Sequence, residues 1–258
     1  MGETYIRFEN VTKSFDERKV LDNVSFCVER GETCVIMGRS GVGKSVTLKH
    51  ILGFLKPDSG RVHVAGQDIT DWDEKQLAPI RRRVTMVFQS GALFDSLTVA
   101  KNIAFPLEER LAEREDLTRE QIDARVAELS EMLEVTQFAD KLPSEISTGT
   151  KRAVAIARAL AEDPEAILYD EPTTMVDPIM ASYTGDLILK LKEKFHKTSV
   201  VVTHDTHLAK KLADRMVFLQ EGRVAFFGPW ADFEASTDPF LRNFRLQDEL
   251  IPELDVTL

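Results

Sequence analysis

The sequence predicts an α/β fold with a mostly parallel sheet covered on both faces, an antiparallel β part and an inserted helical subdomain. Strand-like runs alternate with segments of helical spacing, which is typical of parallel sheets. A glycine-rich loop, GRSGVGKS, stands between a predicted strand and a predicted helix. From about residue 97 to 146 strand signals vanish, so a helical insertion of about 97–160, which includes the next helix, interrupts the strands.

The first half of the chain supplies the early strands. YIRFENV alternates with period two, and VSFCV and TCVIM follow as further strands. A helix comes next, with apolar residues at Leu48, Ile51, Leu52 and Leu55. The turn PDSG, the strand RVHV, the turn AGQD and the buried strand VTMVF complete this half.

Helices and strands alternate again in the second half. Within the insertion, Thr118 and Gln121 form a capping-box pattern before a helix with one apolar face. A helix over Lys151–Leu160, the strand AILYD, a helix opened by Asp177, the strand SVVVT, a shorter helix and the strands MVFLQ and RVAFF follow. The acidic tail, residues 229–258, carries spaced aromatic residues and is either a docked extension or a partner contact.

Composition describes one globular domain over residues 1–258, with 43% hydrophobic and 29% charged residues. No run approaches the roughly 20 apolar residues of a membrane span, and the N-terminus lacks a signal-peptide pattern, so we expect a cytoplasmic chain. The net charge of −10 opposes nucleic-acid binding, despite a basic run at Arg81–Arg83. Cys27 and Cys34 lie in apolar runs and are expected to be reduced, with a disulfide as the alternative.

The glycine-rich loop matches the phosphate-binding pattern G-x-x-x-x-G-K-S. Glycines let backbone N–H groups surround phosphates, and the helix N-terminus adds a favourable dipole. Lys44 is expected to reach the β- and γ-phosphates of ATP, and the Ser45 hydroxyl to bind Mg²⁺. The alternative is a glycine turn with a purely structural role. The predicted nucleotide-binding residues here are Gly38, Arg39, Ser40, Gly41, Val42, Gly43, Lys44, Ser45 and Val46.

Polar side chains follow three other predicted strands. AILYDE ends in Asp170, expected near the metal, and Glu171, expected to polarise the attacking water. VVTHD presents His204, which could contact the γ-phosphate; a metal site of His204, Asp205 and His207 is the weaker alternative. Gln89, just after VTMVF, could complete the shell of Mg²⁺ and water through its side-chain amide.

In this order the motifs resemble those of the ATPase subunit of an ABC transporter, over about residues 5–228. The resemblance implies a P-loop NTPase fold of ABC type with ATP and Mg²⁺ as cofactors. Phe15, in VTKSF, matches the aromatic that stacks on adenine, and Gln89 matches the Q-loop. Asp170 and Glu171 match the metal-binding and catalytic acids. Asp177, in TTMVDP, matches the loop that communicates across a dimer, and His204 matches the switch histidine.

The resemblance also implies a head-to-tail homodimer that sandwiches two ATP molecules, each site being completed by a Ser-Gly-Gly motif of the other subunit. In ISTGTKR, Ser147 and Gly149 match the residues that bond the γ-phosphate. Thr148 replaces the first Gly, and Thr150 replaces the usual Gln or Met. A β-branched residue at 148 is tolerated if its φ is negative. Because the other catalytic residues are kept, we expect an active ATPase.

The segment FQSGALFDSLTVAKNIAFPLEE lies where this family meets its membrane subunit. GALFDSLTV and NIAFPL resemble the ATPases of Mla/Mce-type lipid transporters, as do PSEIS and DPFLRNF. That resemblance implies an integral-membrane permease, an Mce-domain lipid-binding protein and a peripheral position on the cytoplasmic face of the inner or plasma membrane. TTMVDP and STGT depart from that group's usual pattern.

Two other functions remain open at this point. One is the ATPase of a transporter for another solute, and the other is a non-hydrolysing regulatory subunit with a degenerate signature. A chromosome-handling ATPase of related fold is disfavoured, because the chain has no sustained heptad pattern for a long coiled coil.

Overall fold

The structure, a computed structural model, describes residues 2–112 and 117–249, with side chains as far as residue 245. The strands are β1 (Thr4–Phe15), β2 (Arg18–Glu29), β3 (Thr33–Met37), β4 (Ser59–Val64), β5 (Gln67–Asp68), β6 (Val84–Val87), β7 (Ala166–Asp170), β8 (Thr198–Val202), β9 (Arg215–Gln220) and β10 (Arg223–Pro229). The helices are α1 (Lys44–Ile51), α2 (Glu74–Arg83), α3 (Val99–Ala112), α4 (Arg119–Met132), α5 (Thr148–Leu160), α6 (Pro178–Phe195), α7 (Thr206–Leu212), α8 (Trp230–Ala235) and α9 (Pro239–Glu249).

Two sheets form the β part. The larger has the order β10-β9-β3-β8-β7-β6, in which only β10 runs antiparallel to its neighbour. The smaller has the order β2-β1-β4-β5 and is antiparallel. The predicted fold class, a mostly parallel core with an antiparallel part, is therefore confirmed.

The core lies on both faces of the larger sheet. β3 and β8 are buried at every position, as expected for central parallel strands covered on two sides. One face packs against α1, α2 and the antiparallel sheet. The other packs against α3 to α8, so the helical insertion shares the main hydrophobic core.

The insertion is helical wherever the structure describes it, with α3, α4, two short 3₁₀ turns and α5. The predicted capping box forms, because Thr118 and Gln121 exchange hydrogen bonds between side chain and backbone. α5 begins at Thr148, three residues before the predicted start at Lys151. Ser147 caps it by accepting a hydrogen bond from the Thr150 backbone at 3.1 Å. Threonine and glycine have low helix propensity, and the sequence therefore did not predict this first turn as helical.

The aromatic residues of the tail dock on the sheet. The rings of Phe233 and Phe244 lie 5.8 Å and 4.7 Å from the ring of Phe218 on β9. The described part of the tail is thus a docked extension of the fold, and residues 250–258 lie outside the described residues. α2, β5, α8 and α9 were not predicted.

Two further expectations concern cysteines and membrane spans. Cys27 and Cys34 are both free thiols, as predicted. Among the residues that the structure describes, no helix has both the length and the apolar character needed to cross a membrane.

Candidate nucleotide site

Several of the predicted site residues gather at the carboxyl edge of the larger sheet. β3 ends at Met37, directly before the glycine-rich loop. β7 and β8 are parallel and in register, with Asp170 level with Val202, two residues before His204. In open α/β sheets this edge is where ligands bind. The topology therefore brings the separate sequence motifs to one place.

The glycine-rich loop joins β3 to α1. Gly43 precedes α1 in a left-handed conformation, with φ of 106°. A Cβ there would lie 2.9 Å from the Val20 carbonyl oxygen, so a glycine is needed. The Lys44 side chain folds back over the loop and donates hydrogen bonds to the carbonyls of Gly38 and Arg39 at 2.9 and 3.3 Å. The loop thus holds a lysine ammonium above the first turn of a helix.

Ser45 and Asp170 form the candidate magnesium position. The Ser45 hydroxyl donates a hydrogen bond of 2.7 Å to the Asp170 carboxylate. Burial raises the pKa of Asp170, and the nearby Glu171 charge adds to this, while the Ser45 hydrogen bond opposes it. Hydroxyl and carboxylate oxygens are ligands that Mg²⁺ accepts, and a cation would relieve the cost of burying this carboxylate. The donor chemistry fits the predicted metal.

Glu171 contacts three polar side chains of the site. Its carboxylate lies 3.2 Å from Lys44 Nζ and 2.8 Å from His204 Nδ1. The Thr174 hydroxyl donates a third interaction of 3.0 Å to it. The Glu171 backbone has φ of 47°, a left-handed conformation that non-glycine residues seldom adopt. Such strained residues cluster at functional sites.

His204 faces Glu171 and is more than half exposed, so it can meet a phosphate. The alternative of a metal site with Asp205 and His207 has little support. Asp205 is engaged as the N-terminal cap of α7 and accepts from Leu208 N at 3.0 Å. Within the described residues, no three His, Cys, Asp or Glu side chains are grouped so that they could hold a metal.

Phe15 lies at the tip of the β1–β2 hairpin, paired with Arg18. Its ring is 41% exposed, as a stacking platform for a base requires. Arg18 donates a hydrogen bond of 3.2 Å to the Gly41 carbonyl, which holds the hairpin tip beside the phosphate loop. The structure therefore brings Phe15 and the loop together.

Gln89 and Asp177 lie next to the ends of two further elements, β6 and α6. Gln89 is half-buried in the turn after β6, whose Val87 is level with Tyr169 of β7. Asp177 caps α6 by accepting from Met180 N at 3.0 Å. Their roles towards magnesium and towards a second subunit stay predictions.

Ser147 and Gly149 lie at the start of α5, and their contacts are within that helix and with α6. The Ser147 hydroxyl is 2.9 Å from the Thr150 hydroxyl, a contact that the sequence did not suggest. Gly149 packs under Met180, whose terminal methyl would overlap any Cβ at this position. Thr148 is helical and exposed and is not among the residues with positive φ, so the condition for tolerating it is met.

Two functional candidates were missed at the sequence level. Thr174 donates to Glu171, and Arg152 donates from α5 to the Thr174 carbonyl at 2.9 Å. Thr174 stands three residues after Glu171, which is the only signal that could have found it. Arg152 could have been noticed as a charged residue on the otherwise apolar face of α5.

Comparison with known proteins gives a consistent result. The sequence model of the ABC transporter family matches residues 21–174. The chain is 37% identical over 250 residues to the methionine import ATP-binding protein MetN of Brucella abortus. It is 34% identical over 239 residues to the probable ribonucleotide transport ATP-binding protein mkl of Mycobacterium bovis. These matches cover 96% and 93% of this chain, which spans 66% of the length of each relative.

Solved structures are similar over nearly the whole fold. The dimeric post-hydrolysis state of the ATP-binding cassette MJ0796, bound to ADP and Pi, matches with a TM-score of 0.78 and 36% identity, covering 87% of this chain and 98% of that one. CbiO1 of Clostridium perfringens, part of the ABC transporter complex cbiONQ, matches with a TM-score of 0.82 and 26% identity, covering 95% and 99%.

Proposed function

The chain belongs to the ABC transporter family and is an ATPase that binds ATP and Mg²⁺, and from this premise we propose that it powers a membrane transporter of phospholipid or other lipid. The observation that carries the proposed mechanism is the environment of Glu171. A carboxylate held between an ammonium, an imidazole and a hydroxyl can polarise water once a phosphate is present.

In the proposed mechanism each group acts through charge or position. Lys44 and the backbone of the loop bind the phosphates, and Phe15 stacks on adenine. Ser45, Asp170 and Gln89 would hold Mg²⁺, which neutralises phosphate charge when bound. Glu171 orients and polarises the attacking water, and His204 contacts the γ-phosphate. Because the γ-phosphate competes with Glu171 for Lys44, nucleotide binding frees the carboxylate for its task.

Each complete site is proposed to need two copies of the chain. Ser147 and Gly149 of one copy would bond the γ-phosphate held by the other, with Asp177 communicating between them. Supporting this, the start of α5 presents a capped helix N-terminus, which suits an anion. Glu171→Gln keeps the shape of the side chain and should trap an ATP-bound dimer. Gel filtration in excess MgATP tests this, and a persistent monomer contradicts it.

The proposed permease contact is the segment between Gln89 and α3. Buried Asn102 fixes it with hydrogen bonds to the carbonyls of Phe94, Leu97 and Thr98, at 2.9 to 3.1 Å. Arg158 of α5 donates to the carbonyls just after Gln89, at 2.8 and 3.0 Å. Phe94 is left 41% exposed on this ordered segment. A fixed backbone with an exposed aromatic side chain suits docking of a membrane subunit, which would hold the chain at the cytoplasmic face of the membrane.

The proposed lipid substrate rests on the resemblance of GALFDSLTV and NIAFPL to the Mla/Mce-type ATPases. The same resemblance implies a partner protein with an Mce domain. Relatives named for methionine import and ribonucleotide transport favour another solute instead. The test is a reconstitution of the chain with the permease that co-purifies with it. Fluorescent phosphatidylethanolamine moving between vesicles only with ATP supports the proposal. ATP-driven uptake of labelled methionine or ribonucleotide, without phospholipid movement, contradicts it.

A regulatory subunit that does not hydrolyse ATP is the second candidate, favoured only by Thr148 in the signature. ATP binding without turnover in the same reconstituted complex would support this candidate.

A further inference from the structure

Arg152 is a buried cation without a carboxylate in its described contacts. It lies on α5, five residues after the cap Ser147, and is only 5% exposed. Its Nη2 donates to the Thr174 carbonyl at 2.9 Å, and its Nη1 is buried without a hydrogen-bond partner. Burial lowers the pKa of the guanidinium. An incompletely satisfied buried charge is costly and calls for a reason.

Thr174 connects Arg152 to the proposed catalytic carboxylate. Its carbonyl accepts from Arg152, while its hydroxyl donates to Glu171 Oε2 at 3.0 Å. One residue therefore links the helix that begins at Ser147 to the side chain that faces Lys44. The link runs entirely within one chain.

A second contact joins the same two segments. Met180 is the third residue of α6, the helix that Asp177 caps, and it packs over Gly149 at the start of α5. The segment 171–180 is thus attached to α5 at two points, through Thr174 and through Met180. These two contacts give a displacement of the start of α5 a route to the loop that carries Glu171.

We propose that Arg152 is a positioning residue that couples the start of α5, which serves the ATP of a second copy, to Glu171, which acts on the ATP of its own chain. This inference rests on the proposed two-copy site. Binding of one ATP at Ser147 and Gly149 moves α5, and Arg152 carries that movement through Thr174 to Glu171. The two sites thereby become dependent on each other.

The test compares wild type, Arg152→Gln, Arg152→Lys and Arg125→Gln. Arg125 is the matched control, because it donates to the carbonyls of Leu160 and Ala161 at the other end of α5. Amide hydrogen exchange of residues 171–177 is measured with and without MgATP, which requires no turnover. We expect MgATP to protect this segment in wild type and in Arg125→Gln, but not in Arg152→Gln. Equal protection in all of them overturns the proposal.

Steady-state turnover separates coupling from a merely structural role. For two coupled sites the Hill coefficient for ATP can reach about 2, and loss of coupling lowers it towards about 1. Arg152→Gln should show that fall together with a lower kcat, by up to roughly 100-fold, because a misplaced catalytic group costs that much. Arg152→Lys should restore part of the cooperativity and covers the case in which Arg152→Gln fails to fold. Unchanged cooperativity in both variants contradicts the coupling. A wild type without turnover but with the Arg152-dependent protection contradicts only the proposed hydrolysis.

Discussion

The Glu171 carboxylate lies 3.2 Å from the Lys44 ammonium, and both side chains are largely buried. The residue proposed to activate water is therefore paired with the residue proposed to hold the γ-phosphate. Such a pair keeps both charges compensated in the absence of nucleotide. A phosphate that takes over Lys44 leaves Glu171 free, so nucleotide binding and readiness for hydrolysis are linked.

Lys44→Ala should strongly weaken nucleotide binding. Removing one partner of a buried charge-assisted hydrogen bond weakens binding by about 30-fold or more. Titration with a fluorescent ATP analogue measures this, with the exposed Lys75→Ala on α2 as control. Equal affinity of Lys44→Ala and wild type for the ATP analogue would contradict the assignment of the phosphate loop.

Phe15→Ala should weaken ATP binding while leaving the phosphate loop intact. Base–aromatic stacking contributes about 1–3 kcal/mol, which corresponds to a roughly 5- to 150-fold loss of affinity. Phe54→Ala is the matched control, since both rings are exposed and each has a cation over it. Arg81 Cζ lies 4.7 Å from the Phe54 ring centroid, and Lys13 Nζ lies 5.7 Å from that of Phe15. If both variants bind ATP equally well, Phe15 is not the adenine platform.

Thr148→Gly should change turnover by less than about threefold, because the helix N-terminus and its Ser147 cap are already formed in the presence of Thr148. The substitution also costs about 0.5 kcal/mol or less in helix propensity. Turnover and thermal unfolding of the two proteins check this. A chain that hydrolyses ATP only as Thr148→Gly would instead be a nucleotide-binding scaffold.

Asp170→Asn should stabilise the nucleotide-free protein at neutral pH. Because burial raises the pKa of Asp170, the folded state holds its proton more tightly than the unfolded state. Wild type therefore loses stability as the pH rises from the unfolded pKa through the raised folded pKa, and the asparagine variant does not. The difference in Tm between the two should grow from acid to neutral pH. A difference that is independent of pH would contradict the assigned cause.

Much of the site could be predicted, because it is built from strand ends. The positions of Gln89, Asp170 and His204 follow from apolar runs that stop at polar residues, and parallel strands bring their ends together. The glycine spacing before Lys44 is itself a signal, because glycine readily adopts the left-handed backbone conformations that such a loop requires. These signals are local in the sequence.

The unpredicted parts depend on contacts between distant segments. The three-residue spacing is the only local hint that Thr174 would bond Glu171, and nothing local indicates that Arg152 would reach the Thr174 carbonyl from another helix. The tail docks through aromatic residues such as Phe233, whose spacing along the sequence has neither a helical nor a strand period. The first turn of α5 was missed because its residues favour capping and turns over helix.

The most direct measurement is ATP turnover by the chain in complex with its co-purifying membrane subunit, for wild type and Glu171→Gln. We predict turnover in wild type and a loss of about 100-fold or more in Glu171→Gln, with ATP still bound. Equal turnover of the two proteins would contradict the central role of Glu171.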